Sequence, residues 1–380
     1  MGRRRATLER AVTDNETELA TTPLDSLHRR LGARMVAFAG YAMPLQYGAG
    51  IIAEHLHCRA EAALFDVSHM GQASLLGEGA AAALERLVPG DILGLKPGRQ
   101  RYTLLTDDQG GILDDLMLAN LGDRFLLIVN AARKAFDFAH IAAALPASVR
   151  LVPHPDQALL ALQGPAAARV LARLDPYVEQ ISFLGVSERT LCGAAAIIAR
   201  SGYTGEDGFE ISLPAEAAER IAAALLAEPE IWPAGLGARD SLRLEAGLCL
   251  YGADIDTTTT PIEAGLGWTI GKRRRMAWDF PGAERIRAEQ DHGPARLRVG
   301  IRPEGRAPAR AGTPLLDESG AEVGRVTSGC FSPSLNAPIA MGYVASTHAA
   351  DGTRLGALVR GKELPSVVAP MPFVPHRYLR

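Results

Sequence analysis

The sequence predicts an α+β fold built mostly from antiparallel sheets, with a β-rich C-terminal part. Three observations carry that expectation. Strand-like runs at 102–106, 115–120 and 125–130 succeed one another across turn-forming stretches and lead into a helical run at 131–145. A β-β-β-α order lays helices on one side of an antiparallel sheet. From about Pro294 onward, short β runs (296–301, 322–327, 339–344, 354–359) alternate with Gly/Pro turns, as in a small barrel or sandwich. Finally, 380 residues exceed one ordinary core, so two or three domains are expected.

Taken in order, residues 1–22 read as a frayed, disordered extension. The aromatic, Gly- and Pro-containing stretch 24–49 carries too many large apolar groups to stay in water, and reads as an irregular but packed loop. A helix is expected over 51–64, then a short strand entering a turn at 65–71, then an Ala/Leu-rich helix over 78–88 stopped by Pro89-Gly90. Beyond the three strands and their helix, 158–163 is a strand, and Gly164-Pro165 opens a helix. Strands at 194–200 and 209–213 flank the glycine-rich stretch 201–208, and helices follow at 215–227 and 235–245.

Apolar residues make up 47% of the chain and charged residues 22%, as in globular enzymes. The net charge of −3 argues against a nucleic-acid face, which shows as a basic excess. The basic runs 3–5 and 272–275 read as solvated loops. No apolar run approaches the ~20 residues of a membrane span. The start has no apolar core of a secretory signal, and its Asp14, Glu16 and Glu18 do not suit a transit peptide. Cys58, Cys192, Cys249 and Cys330 are far apart and form no C-x-x-C pair, which speaks against zinc ligation and a disulfide framework. His55 and His57, two apart on a helix, point to different sides and do not make a metal pair. No glycine fingerprint for a dinucleotide follows a strand, and no nucleophile elbow is present.

The stretch GGILDDLMLAN at 110–120 places two adjacent carboxylates at the mouth of an apolar strand. Neighbouring strand residues face opposite ways, so Asp114 and Asp115 look to different sides, one of them inward. Ionised carboxylates resist burial without partners. Taken alone, the pair also reads as turn caps. Glu210, between Phe209 and Ile211 in a strand, calls for a partner, and Arg239 with Asp240, taken alone, reads as a structural ion pair rather than a site.

Five segments in sequence order resemble one family: FDVSHMG (65–71), GGILDDL (110–116), GYTGEDGFE (202–210), GLGARD with RLEA (235–240, 243–246) and TSGCFSP (327–333). The chain resembles aminomethyltransferase, the T-protein of the glycine cleavage system, from about Pro23 to its end. That resemblance implies a three-lobed folate-binding fold around a central cavity: 23–71 with 156–251, 72–155 with 252–290, and a β-barrel lobe over 291–380. It implies transfer of the methylene of an aminomethyl group, carried on the dihydrolipoyl arm of H-protein, to tetrahydrofolate, with release of ammonia and 5,10-methylenetetrahydrofolate. Asp115 matches the family's catalytic aspartate, Glu210 the pterin-binding carboxylate and Arg239 the residue for the glutamate end. Tyr203 and Tyr102 would flank the ring, Met70 and Asn130 would line the pocket, and Tyr378 falls at another ligand position. Tetrahydrofolate is the implied acceptor and no metal is implied. Lipoylated H-protein is the direct partner and P- and L-protein indirect ones, with no nucleic acid or membrane. The bacterial cytoplasm is the implied compartment, or the mitochondrial matrix in a eukaryote. Within the same fold, the folate half of a dimethylglycine or sarcosine dehydrogenase would carry an upstream flavin domain, which is absent here. The folate-binding iron–sulfur maturation factor carries a K-G-C-Y-x-G-Q-E run, also absent here.

Overall fold

A computed structural model describes residues 19–379; the expected extension over 1–18, with its arginine run and acids, lies outside them. Residues 20–22, expected to fray, are held in place. Ala20 bridges to Tyr41, and the buried Thr22 hydroxyl donates to Asp66 at 2.6 Å.

The first sheet has six strands in the order Val186–Leu191, Ala194–Ala199, Gly208–Pro214, Gln157–Gln163, Ala62–Asp66 and Ile231–Pro233, antiparallel except for the last pair. The second has five antiparallel strands: Arg99–Thr106, Ile112–Asn120, Phe125–Val129, Gly71–Leu76 and Arg150–Pro153. The chain therefore leaves the first sheet after Asp66, builds the whole of the second, and returns at Gln157. The third layer is a closed six-stranded barrel from Arg296 to Ala369.

Each body has its own core. Leu160, Phe209, Ile221 and Leu225 pack the helix Ala215–Leu226 on the outer face of the first sheet. Leu84, Leu116, Leu127 and Ile141 pack the helices Ala80–Glu85 and Lys134–Ala144 on the outer face of the second. The inner faces meet through Ala119, Leu126, Val186 and Ala199, and through Ile128 against Leu159. Gly71 permits the close approach of the helix Lys134–Ala144. A Cβ there would lie 2.5 Å from Lys134 Cβ and 2.8 Å from Val129 Cγ2.

The stretch 24–49 departs from expectation. It forms a helix, Asp25–Arg30, and a hairpin, Arg34–Phe38 with Tyr41–Gln46. Ala39 (φ +49°) and Gly40 (φ +82°) make a two-residue turn with both φ positive, usually signalled by Asn-Gly; Ala-Gly concealed it. The helix expected over 51–64 ends at Ala60, and the chain re-enters as the strand Ala62–Asp66, buried throughout. A continuous apolar run cannot be assigned to helix or strand by periodicity. The basic run at 272–275 is not a solvated loop. It lies in the helix Lys272–Ala277, where buried Arg274 donates to the carbonyls of Glu85 and Val88.

Candidate functional site

The paired carboxylates resolve as strand alternation requires. Asp114 pairs in register with Leu105 and turns to the helix side, fully buried. Asp115 pairs with Leu104 and turns to the inner face, half-buried beside Tyr102 and Met117. The Tyr102 hydroxyl donates to Asp115 Oδ2 at 2.9 Å. Asn130 Nδ2 donates to Asp115 Oδ1 at 2.6 Å and to Asp114 Oδ1 at 2.9 Å. Asn130 occupies its place because the strand Phe125–Val129 ends there. Its carbonyl then accepts from the backbone N–H groups of Arg133 and Lys134 as the next helix begins. Burial, and then the charge of Asp114, raise the proton affinity of Asp115. Burial, and then Asp137, do the same to Asp114.

A narrow cavity of about 10 Å³ lies between the inner faces on this side. Gln100, Met117 and Ile128 come from the second sheet, and Leu159, Glu210 and Ser212 from the first. Glu210 accepts a 2.8 Å hydrogen bond from Ser201 Oγ, the partner its strand position called for. Gln100 is buried, and its Nε2 finds no acceptor among the described residues. The glycine-rich stretch 201–208 is pinned beside the cavity. Arg200 grips Asp207 with two hydrogen bonds, at 3.0 and 2.6 Å, and Thr204 donates to Gln163 Oε1 at 2.8 Å. That stretch presents Tyr203, half-buried, whose hydroxyl donates to the carbonyl of Cys249. The Arg239 guanidinium lies 5.0 Å above the Tyr203 ring. One of its N–H groups is buried without an acceptor, and burial lowers its proton affinity while Glu210 opposes the change.

Arg239 does not pair with Asp240. Asp240 instead accepts from Arg243 Nε at 2.9 Å, one helical turn on, because neighbours on a helix face apart. Met70 packs with Cys58, Phe65 and Ile128, in the same cluster as the cavity's Leu159 and Met117. Tyr378 stacks on Phe183 at 4.5 Å, next to Leu184, whose carbonyl accepts from the Gln100 backbone N–H. Tyr102, Asp115 and Asn130 thus form one hydrogen-bonded unit. Glu210, Tyr203 and Arg239 form a second group across the seam, and Tyr378 sits further off. Three residues went unread in the sequence: Gln100, Asp137 and Trp268, an exposed ring stacked on Tyr102 at 5.6 Å. Only the alternation of the strand at 99–106 could have drawn attention to Gln100, which shares a face with Tyr102. Among the described residues, no group of three or more His, Cys, Asp or Glu side chains is arranged to hold a metal ion. No helix among the described residues is long and apolar enough to cross a membrane.

Two facing sheets with a polar, carboxylate-bearing seam, followed by a closed barrel, are the architecture of a two-part class. Residues 24–274 match the model of the GCVT N-terminal domain, and residues 296–375 that of the glycine cleavage T-protein C-terminal barrel domain. The chain belongs to the aminomethyltransferase family, the T-proteins of the glycine cleavage system. It is 47% identical to the mitochondrial aminomethyltransferase of Gallus gallus, over 99% of this chain and 98% of that protein. It is 46% identical to the Homo sapiens mitochondrial aminomethyltransferase, over 95% and 91%. The crystal structure of glycine cleavage system aminomethyltransferase T from Bartonella henselae superposes with a TM-score of 0.91 at 44% identity. That match covers 95% of this chain and all of the other.

Proposed function

We propose that this chain moves the methylene of an aminomethyl group, carried on the dihydrolipoyl sulfur of an H-protein, onto tetrahydrofolate. The balance is closed: R–S–CH2–NH3+ and tetrahydrofolate give R–SH, NH4+ and 5,10-methylenetetrahydrofolate. Two C–N bonds to folate form, while one C–S and one C–N bond break. The two protons leaving the folate nitrogens end on sulfur and on ammonia.

The observation that carries this reading is the Asp115 carboxylate, held by Tyr102 and Asn130 on the cavity side of its strand, with Glu210 on the opposite wall. The carbon in transfer acquires iminium-like positive charge between its bonds to sulfur and nitrogen. A fixed carboxylate in a water-poor seam stabilises that charge. It is also suited to accept a proton from a folate nitrogen and return it to a leaving group. A pterin fits the polar groups of the seam. Its adjacent ring N–H and amino group suit the Glu210 carboxylate, and its carbonyl suits the orphan Gln100 amide. Met70, Tyr203 and Tyr102 supply apolar and aromatic wall. Arg239, which forms no ion pair among the described residues, supplies a cation for the folate glutamate carboxylate. Tyr378 closes the far end.

The same reading divides the chain into the three lobes over 23–71 with 156–251, 72–155 with 252–290, and 291–380, the first two walling the cavity. Lipoylated H-protein is the immediate partner, and P- and L-protein act on it before and after. The compartment follows the source: cytoplasm in a bacterium, mitochondrial matrix in a eukaryote. The test is incubation with aminomethylated H-protein and tetrahydrofolate. Equal amounts of ammonia and methylenetetrahydrofolate are expected, and absence of both overturns the reading.

A further inference from the structure

Glu54 is a buried carboxylate that the chemistry above does not use. It sits in the first turn of the helix Ile51–Ala60 and has no exposed surface. Both of its oxygens accept from backbone N–H groups, Oε1 from Tyr47 at 2.5 Å and Oε2 from Gly235 at 2.9 Å. Both neighbours are donors, so a proton on either oxygen would face an N–H, and the arrangement calls for the ionised form. Burial raises the proton affinity of Glu54, and the two N–H groups oppose the change. A carboxylate is buried at a cost unless its oxygens are satisfied, and here two well-separated parts of the chain satisfy them.

Gly235 immediately precedes the helix Leu236–Glu245 and has no side chain with which to cap it. The first N–H groups of a helix have no partner within it. Glu54 reaches across from another helix to fill that place, and its charge suits the positive end of the helix dipole. The carbonyl of the same Gly235 accepts the backbone N–H of Arg239 at 3.1 Å. Gly235 is thus held on one side by Glu54 and holds Arg239 on the other. Two glycines let this end of the helix seat closely. A Cβ on Gly235 would lie 2.4 Å from the Leu45 carbonyl, and one on Gly237 would lie 2.5 Å from Ile51 Cδ1. The far end of the helix is anchored independently, by Arg243 to Asp254 and by Glu245 to Ser332. The first turn, which carries Arg239, is anchored by Glu54.

We propose that Glu54 is a positioning residue for Arg239: through Gly235 it fixes the first turn of the helix Leu236–Glu245, so that the guanidinium stands over Tyr203 where the glutamate end of the acceptor arrives. The inference rests on the role given to Arg239 above. Glu54 touches no substrate in this arrangement. It acts by sparing Arg239 the search for its place: a guanidinium already held over the Tyr203ring, with an N–H free of any acceptor, loses little freedom when a carboxylate pairs with it. Without the Glu54 carboxylate the helix start is free to shift, and a shift of that turn moves Arg239 with it.

The experiment is calorimetry with two probes, tetrahydrofolate and tetrahydropteroate, which share the pterin and benzoyl parts and differ in the glutamate. Wild type should bind tetrahydrofolate about 10- to 100-fold more tightly, the worth of a charge-assisted pairing. Arg239→Ala should abolish that gap. Glu54→Gln keeps the shape but turns an amide N–H toward one of the two backbone N–H groups. It should close at least about threefold of the gap, weakening tetrahydrofolate and leaving tetrahydropteroate unchanged. The double variant should bind tetrahydrofolate no more weakly than Arg239→Ala alone. A merely structural Glu54 would lower the urea midpoint with the gap intact, or weaken both probes alike. Either result overturns the proposal, as do effects that add in the double variant. Glu54→Asp keeps the charge and falls short of Gly235, and gives the same comparison should Glu54→Gln not fold. If Arg239→Ala leaves the gap unchanged, the role of Arg239 at the glutamate end falls, and the proposal with it. If Arg239→Ala closes the gap and the Glu54 variants do not, the role of Glu54 alone falls.

Discussion

Asp115→Asn is the sharpest perturbation. The substitution keeps the volume and removes one charge. In the native site the carboxylate accepts from Tyr102 at 2.9 Å and from Asn130 at 2.6 Å. An asparagine can present its single carbonyl to one of them, so the side chain stays in place. The loss to catalysis is the attraction between the carboxylate and the positive carbon. At a separation of about 4 Å and an effective dielectric near 20, that is about 4 kcal/mol. Each 1.36 kcal/mol is tenfold in rate, so kcat should fall by about 10³. Tetrahydrofolate binding should change little, because the proposed function assigns the pterin chiefly to the opposite wall. Folding should not suffer either. Burial and Asp114 raise the proton affinity of Asp115, so its ionisation costs stability as pH rises from the unfolded value of about 4. The asparagine is free of that cost, and the thermal midpoint at pH 8 should be equal to or above wild type. The coupled assay with aminomethylated H-protein gives the rate, calorimetry the affinity and scanning fluorimetry the midpoint. A kcat within about tenfold of wild type, a deficit under ~1.4 kcal/mol, refutes the electrostatic argument.

Other outcomes follow from the same geometry. Glu210→Ala removes an acceptor for charge-assisted hydrogen bonds worth about 1.5–3 kcal/mol, so the tetrahydrofolate Kd should rise about 10- to 100-fold in calorimetry. Unchanged affinity would remove Glu210 from the pterin site. Gly71→Ala should cost about 1–3 kcal/mol in urea unfolding, because the new Cβ meets Lys134 and Val129 at overlapping distances. His69 is buried and its proton affinity falls to about 4, burial outweighing the nearby Asp66. The unfolded chain takes up that proton below about pH 6.5, the folded one only near 4. The neutral ring therefore favours folding above pH 6.5, and about 3 kcal/mol is lost as pH drops toward 4. His69→Gln should lose that part of the acid sensitivity in paired urea titrations at pH 7 and 4.5, and an identical pH dependence would show that His69 does not carry it.

The strands around the site were legible because their signals are local. The run 110–120 carries its turn glycines and its alternation in eleven residues, and the faces of Asp114 and Asp115 follow from period two alone. The same local signal gave Glu210 its strand-interior position. What escaped was set by partners distant in sequence. Asp137 reads as one charge on a surface helix until the sheet beneath is known to bury it. Gln100 reads as a polar residue between two arginines until the first sheet covers it. Arg274 in a basic run reads as solvated until the end of the helix Ala80–Glu85 offers it carbonyls. The strands Arg150–Pro153, Pro314–Leu316 and Ile231–Pro233 are three or four residues long, too short for periodicity to register.

The helix Leu236–Glu245 lies between regions that family models treat as separate units. Arg243 reaches Asp254 at 2.6 Å and Ser328 of the barrel at 2.8 Å. Glu245 takes donors from His55 and Arg59 on one side and from Ser332 and Ser334 on the other. Leu244 sits among Cys330, Ile339 and Met341. The seam between the matched segments, near residues 274–296, is thus a boundary of sequence description rather than of mechanics. The barrel shares buried charges with the body through this rod as well as through Arg296 and Glu263, and a disturbance in either bears on the helix that carries Arg239.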